Sequence, residues 1–404
     1  MTMYKRFVAN LLPKLLKISP IVLLSGPRQV GKSTLSFECS DHRILLDDVG
    51  VRASAQEDPV LFVENLKKPV CLDEIQKAPM LLEAIKMNVD RDRHNGAFLL
   101  TGSVNVLDMR GVGDTLAGRL IELVLWPLSY KEINHSLDNI VDELFAEKLT
   151  HFSIPKITPE KIISNVITGG YPAAIAITDP EMRAYWFASY IATYIERDIR
   201  DVGEIRHLPQ FIKLFNLLAA RSANLLNIKN LANSAALSQA TTENYLALLE
   251  MIYQMRRLQP YFGNFSKRFT KTPKAYFTDS GVLSHLLNVQ TFSQWMQSPH
   301  KGAILETFVF SELLKHVSYS SKNIGFYHYR THDQQEIDFI LEYDNRVIAI
   351  EVKSSSQVSQ RDFKHIVDFK NDSSHFHLGL VFYLGDKLLP FGDKLFAVPI
   401  ATLF

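Results

Sequence analysis

One stretch constrains this chain more than any other: Gly26-Pro27-Arg28-Gln29-Val30-Gly31-Lys32-Ser33, followed by Thr34. It has the spacing G-x-x-x-x-G-K-[ST]. It stands between an apolar run, Pro20-Ile-Val-Leu-Leu, and a stretch of helical character from Lys32 onward. The glycines let the backbone curl so that successive N–H groups face one centre, and a helix starting there adds partial positive charge. The expected ligand is therefore Mg-ATP, held by residues 26–34, with Lys32 on the β- and γ-phosphates and the Ser33 hydroxyl on Mg²⁺. A bare glycine turn is the bland alternative, and the strand–loop–helix context argues against it.

A phosphate loop needs a second metal ligand, and Val70-Cys-Leu-Asp73-Glu74 supplies one. Asp73 ends an apolar strand and is expected in the Mg²⁺ shell; Glu74, directly after it, suits a base that orients the attacking water. Two solvated carboxylates at a strand end are the plainer reading. Ala97-Phe-Leu-Leu-Thr101-Gly-Ser103 is a further strand ending in hydroxyls. Thr101, in preference to Ser103, is expected to sense the γ-phosphate. Arginine is needed for transition-state charge. The candidates are Arg119 first, then Arg197 and Arg200, although Glu196/Arg200 and Arg197/Asp201 are also spaced as exposed helical pairs.

The apolar strands at Arg43–Leu46, Pro69–Leu72, Ala97–Leu100 and Leu120–Leu125 alternate with helical stretches, which predicts a parallel sheet flanked by helices. That first domain, residues 1–136, is followed by a mainly helical lid or linker at 137–203. Residues 204–290 read as helices Phe211–Ser222, Asn227–Ala235 and Gln239–Tyr253, then strand-like Gln254–Pro260 and Ala275–Thr278. Three helices and a hairpin describe a winged helix. Residues 295–404 read as a separate α/β unit.

Composition removes several function classes. Lys plus Arg is 44 against 43 for Asp plus Glu, so any nucleic-acid surface must be local rather than a bulk property. Cys39 and Cys71 are the only cysteines, which excludes a disulfide framework and fits a reducing, cytoplasmic setting. No apolar run approaches the roughly 20 residues needed to cross a bilayer.

The phosphate loop, Leu-Asp-Glu-Ile-Gln, Leu-Thr-Gly-Ser, Leu-Ala-Gly-Arg, Gly169-Gly-Tyr-Pro and Tyr194-Ile-Glu-Arg-Asp-Ile-Arg run in one order along the chain. Asn264-Phe-Ser-Lys-Arg, Pro273-Lys-Ala-Tyr-Phe-Thr-Asp and Glu351-Val-Lys extend the series. This resembles prokaryotic AAA-type ATPases that carry a C-terminal domain of unknown function. The resemblance implies an AAA domain, a winged helix and a nuclease-like C-terminal fold.

Two further expectations follow from local clusters. Between Met251 and Thr278 the basic residues are Arg256, Arg257, Lys267, Arg268, Lys271 and Lys274, with no acidic residue and with aromatics interleaved. A basic wing over 256–274 could neutralise DNA phosphates while Gln239, Thr241, Thr242 and Asn244 approach a groove. The alternative is an intramolecular lid. In the last block, Asp338 and Glu351 flank an Asp344-Asn345 turn, and Glu351 and Lys353 share a strand face. This layout resembles the PD-(D/E)XK nuclease core, without its proline because Ile337 precedes Asp338. That resemblance implies metal binding by Asp338, Glu351 and the helix acid Glu306, with Lys353 as the catalytic lysine.

The leading expectation is an ATPase of the AAA type coupled to DNA, with ATP and Mg²⁺ as cofactors and self-association left open. The rival is an ATP-driven conformational switch whose C-terminal unit is a protein scaffold.

Overall fold

The first four apolar runs return to the same sheet because helices carry the chain back over its face between them. The computed structural model describes residues 4–105, 116–147, 152, 154–195, 205, 208–262, 271–331 and 333–404. Strands β1 (Ile21–Ser25), β2 (His42–Leu45), β3 (Val70–Asp73), β4 (Phe98–Gly102) and β5 (Leu120–Val124) form one sheet in the order β2-β3-β4-β1-β5. All neighbouring pairs are parallel. β1, β3 and β4 are buried along their whole length, so they read as continuous apolar runs rather than alternating ones. Ile21, Leu23, Leu72 and Leu100 pack there with Ile75, Leu81 and Ile85.

Register fixes what this sheet can do. Ser25 lies beside Gly102, and Leu72 beside Leu100. Asp73 and Thr101 therefore leave the sheet at the edge from which the glycine loop departs. In parallel α/β sheets the carboxyl ends of the strands are where ligands bind.

The chain divides into two compact units: Met1–Leu128 with Ile191–Glu204 and Ala247–Gln254, and Ser129–Tyr190 with Ile205–Leu246 and Met255–Phe404. The sequence sets the first boundary near Ser136, whereas this division falls at Leu128. The reason is local: Ser129 and Glu132 form a capping box, and the Tyr130 N–H donates to Glu312 at 2.9 Å, within the second unit.

In the second unit, helices Leu208–Ala220 and Ile228–Ala235 and the start of helix Gln239–Met251 accompany a small antiparallel sheet. Its strands β6 (Asn224–Leu225), β7 (Met255–Leu258) and β8 (Lys274–Phe277) are ordered β6-β8-β7. The remaining strands are β9 (Gly325–Arg330), β10 (Glu336–Tyr343), β11 (Arg346–Lys353), β12 (Phe376–Tyr383), β13 (Leu389–Gly392) and β14 (Leu395–Pro399). They form a mixed sheet ordered β13-β14-β12-β11-β10-β9. The Asp344-Asn345 turn between β10 and β11 takes φ of 51° and 56°, the left-handed pair of a type I′ hairpin. Beyond β7, Gln259 and Tyr261 bond the β9 edge: His328 N–H donates to Gln259 at 3.0 Å and Tyr261 N–H to His328 at 2.6 Å.

Two motifs noted in the sequence meet in this unit. Asp279 accepts from the N–H groups of Gly170 (2.7 Å), Gly281 (2.9 Å) and Val282 (3.0 Å). A Cβ on Gly169, at φ 70°, would lie 2.3 Å from the Asp279 carboxylate. The Gly-Gly-Tyr-Pro turn thus needs glycine to let this carboxylate cap two chain segments. Among the described residues, no helix is long and apolar enough to cross a membrane.

Candidate functional site

The glycine loop is shaped by contacts that only glycine tolerates. At φ 138°, a Cβ on Gly26 would lie 2.3 Å from the Leu125 carbonyl oxygen. Gly31, at φ 98°, opens instead on free space, with no atom within 4 Å of a Cβ placed there. The loop is braced from behind by buried Arg6, which donates to the carbonyls of Val30 (2.8 Å) and Trp126 (2.6 Å). Lys32 Nζ donates to the Gly26 and Pro27 carbonyls, both at 2.8 Å. Within residues 26–34, Gly26, Pro27 and Val30 are buried, Arg28 is half-buried, and Gln29 and Thr34 are exposed.

Beside the loop, the Ser33 hydroxyl donates to both carboxylate oxygens of Asp73 at 3.0 Å. A hydroxyl and a carboxylate this close are the hard oxygen set that Mg²⁺ takes alongside nucleotide phosphates, so the residues present fit that ion. Glu74 follows in the left-handed region at φ 62°. Its carboxylate accepts from Gln76 and, at 3.3 Å, from Ser103, and Gln76 also donates to the Ser103 hydroxyl at 2.9 Å. Glu74 is thereby aimed rather than left to sample rotamers.

Two residues expected at this site have protein partners of their own. Thr101, expected to sense the γ-phosphate, is fully buried; its hydroxyl donates to Asp73 and accepts from the Glu74 N–H at 3.1 Å. It ties the Asp73 carboxylate to the Glu74 peptide N–H. Arg119, expected to stabilise transition-state charge, precedes β5 at the opposite end of the sheet from the loop. There it donates to Asp90 at 2.5 and 3.1 Å. Arg197 and Arg200 lie outside the described residues. Sequence reasoning missed Arg6 and Gln76; the Gln of Leu-Asp-Glu-Ile-Gln was the available signal for the second.

The C-terminal carboxylates also come together, but around a lysine. Lys274 Nζ, 1% exposed, lies 2.7 Å from Glu336, 3.1 Å from Glu306 and 3.6 Å from Asp338. The Tyr276 hydroxyl donates to Glu306 at 2.6 Å. Asp338 accepts from the Val352 N–H at 2.9 Å, and Glu351 accepts from Lys353 at 3.1 Å. Burial and then Asp338 push Glu306 up to about 7, against the pull of Lys274. The same two causes raise Glu351 well above the carboxylate range. Burial acts to lower the pKa of Lys274, yet Tyr276 and the carboxylates outweigh it and hold the ammonium charged.

Glu306, Asp338 and Glu351, expected to bind metal, have Lys274, Tyr276, the Val352 N–H and Lys353 as partners. Among the described residues, no group of three or more His, Cys, Asp or Glu side chains is arranged to hold a metal ion. Strand β8 places the Lys274 ammonium beside Glu306 and Asp338. Lys353, expected to be catalytic, pairs with Glu351.

The same observation thins the basic wing. Lys274 is buried and compensated, and Arg257 pairs with Glu243 at 2.5 Å. Arg256 and Lys271 are exposed, while Lys267 and Arg268 lie outside the described residues. Of the polar residues near the third helix, Gln239 and Asn244 are exposed, whereas Thr242 is buried and bonds the Ser238 carbonyl at 2.9 Å.

Comparison with known proteins agrees with the N-terminal geometry. Residues 19–134 match a family model described as an AAA domain. Residues 159–293 and 301–403 match two models described as domains of unknown function, DUF8612 and DUF4143. The chain is 29% identical to an uncharacterized protein of Mycobacterium tuberculosis over 409 residues, 99% of this chain and 84% of that one. It is 23% identical to an uncharacterized protein of Haemophilus influenzae over 389 residues, 87% of each. A Methanocaldococcus jannaschii protein, also uncharacterized, is 28% identical over 295 residues, 71% of this chain and 61% of that one. The parallel sheet and the AAA match together describe a P-loop NTPase-like domain.

Proposed function

We propose that this chain binds and hydrolyses Mg-ATP at residues 26–34, Asp73 and Glu74, and uses the nucleotide state as a conformational switch. The observation that carries the reading is the Ser33–Asp73 pair at 3.0 Å beside an open glycine loop, with Glu74 aimed from the next residue. Lys32 would leave the loop carbonyls for the phosphates, and Ser33 and Asp73 would hold Mg²⁺, which neutralises phosphate charge. Glu74, oriented by Gln76 and Ser103, would orient the attacking water and draw off its proton.

The helix, strand and hairpin order of residues 208–277 supports a winged helix, and the β9–β12 sheet with its leading helix supports a nuclease-like fold. The buried state of Lys274 favours an intramolecular role for this wing over duplex binding.

Lys32→Ala should weaken ATP binding in calorimetry. Glu74→Gln should leave binding within a few-fold and slow phosphate release by about 10²–10⁴-fold. Hydrolysis at the wild-type rate in Glu74→Gln would remove Glu74 from the mechanism. A rise in hydrolysis on adding duplex DNA would replace the switch reading with the DNA-coupled one.

A further inference from the structure

Strand β8 is the middle strand of its sheet, with Lys274 in register with Leu225 on one side and Leu258 on the other. Its alternate residues Lys274 and Tyr276 both reach acids of the C-terminal domain. Lys274 Nζ is placed among Glu306, Glu336 and Asp338, and an ammonium offers three donors. The Tyr276 hydroxyl donates to the same Glu306 oxygen, Oε1, that Lys274 bonds. Arg330 holds the other oxygen of Glu336 at 2.8 Å, and the Val352 N–H holds the other oxygen of Asp338.

A divalent ion binds carboxylate oxygens at about 2.0–2.6 Å. Placed on Glu306 and Asp338, it would sit within a few ångströms of a buried ammonium, where the repulsion is screened far less than in bulk water. One cation can occupy this cluster, and the fold supplies its own.

We propose that Lys274 is the resident cation of the Glu306–Glu336–Asp338 cluster, so that the C-terminal domain excludes divalent metal and uses its acids to clamp strand β8. The acids that resemble a nuclease centre then act as the receiving half of an internal ion-pair joint. Exclusion follows from occupancy, since the acids are present and only the lysine stands in place of the metal.

The test uses the full-length chain without nucleotide and Mn²⁺ as the probe, read by calorimetry and by melting temperature. The wild type should show no Mn²⁺ binding that depends on Asp338. Lys274→Met should gain a site at least tenfold tighter than any wild-type binding, and adding Asp338→Asn to it should abolish that gain. Asp338-dependent Mn²⁺ binding by the wild type would overturn the proposal, as would a folded Lys274→Met that gains none. Should Lys274→Met fail to fold, wild-type lysine acylation by acetic anhydride decides. Protection of Lys274 that millimolar Mn²⁺ leaves unchanged upholds occupancy; labelling that rises with Mn²⁺ shows the metal displacing the lysine and sinks it.

Discussion

Two groups of acids in this molecule look alike in sequence and behave differently in structure. Asp73 and Glu74 end a buried parallel strand, and their neighbours are hydroxyls, an amide and an open glycine loop. Glu306, Asp338 and Glu351 line a mixed sheet, and their neighbours are Lys274, Lys353 and Tyr276. Both groups need positive charge. On the proposed reading the first takes it from Mg²⁺ bound with nucleotide, whereas the second has it built in. The residue type sets a demand for charge, and the neighbouring element decides whether that demand remains available to a ligand.

The largest test of this contrast is on stability. Lys274→Ala removes the partner of several largely buried carboxylates and should cost about 3–5 kcal/mol in chemical denaturation. Lys32→Ala, whose ammonium bonds the Gly26 and Pro27 carbonyls, should cost far less. Equal losses would show that the two lysines do the same structural job.

A smaller effect separates the aspartates. Asp73→Asn should reduce ATP hydrolysis by about 10–100-fold with little change in melting temperature. Asp338→Asn should do the reverse, lowering the melting temperature while hydrolysis stays near wild type. A hydrolysis defect in Asp338→Asn of the same size as in Asp73→Asn would erase the distinction.

The smallest is a pH slope. Glu306 is held at about 7 against an ordinary 4.5, so the folded state binds this proton more tightly than the unfolded one. Its contribution is complete below pH 4.5 and is lost as the pH rises through 7. Denaturation midpoints should fall across that window, and Glu306→Gln should flatten the fall. Parallel slopes for variant and wild type would remove Glu306 as the cause.

How much of this was legible beforehand follows from how local each feature is. The glycine loop carries its geometry in its own spacing, and Asp73 was placed by the apolar run that ends on it. The β10–β11 hairpin was readable because Asp344-Asn345 suits the left-handed turn it takes. Lys274 was not readable as a buried cation. Alternation along β8 says that Lys274 and Tyr276 share a face but not which sheet that face meets, and Glu306, Glu336 and Asp338 arrive from a later helix and strand. Arg119 misled for a related reason. Its motif touches a strand, and only the register with β1 shows that it stands at the wrong end. The Thr101 hydroxyl bonds Asp73 and the Glu74 N–H, a pairing that no spacing rule reveals.

The bonding of Gln259 and Tyr261 to His328 also bears on how this molecule meets others of its kind. β9 is an outermost strand of its sheet, and a row of unpaired peptide groups on such a strand is a template for a second chain. The segment after β7 takes up part of that row, on both sides of Pro260. The opposite margin is the short strand β13, which contains Pro390 and an irregular register against β14. One margin is covered in part by the chain itself and the other is interrupted by proline, which shortens the regular run each offers for sheet-to-sheet pairing.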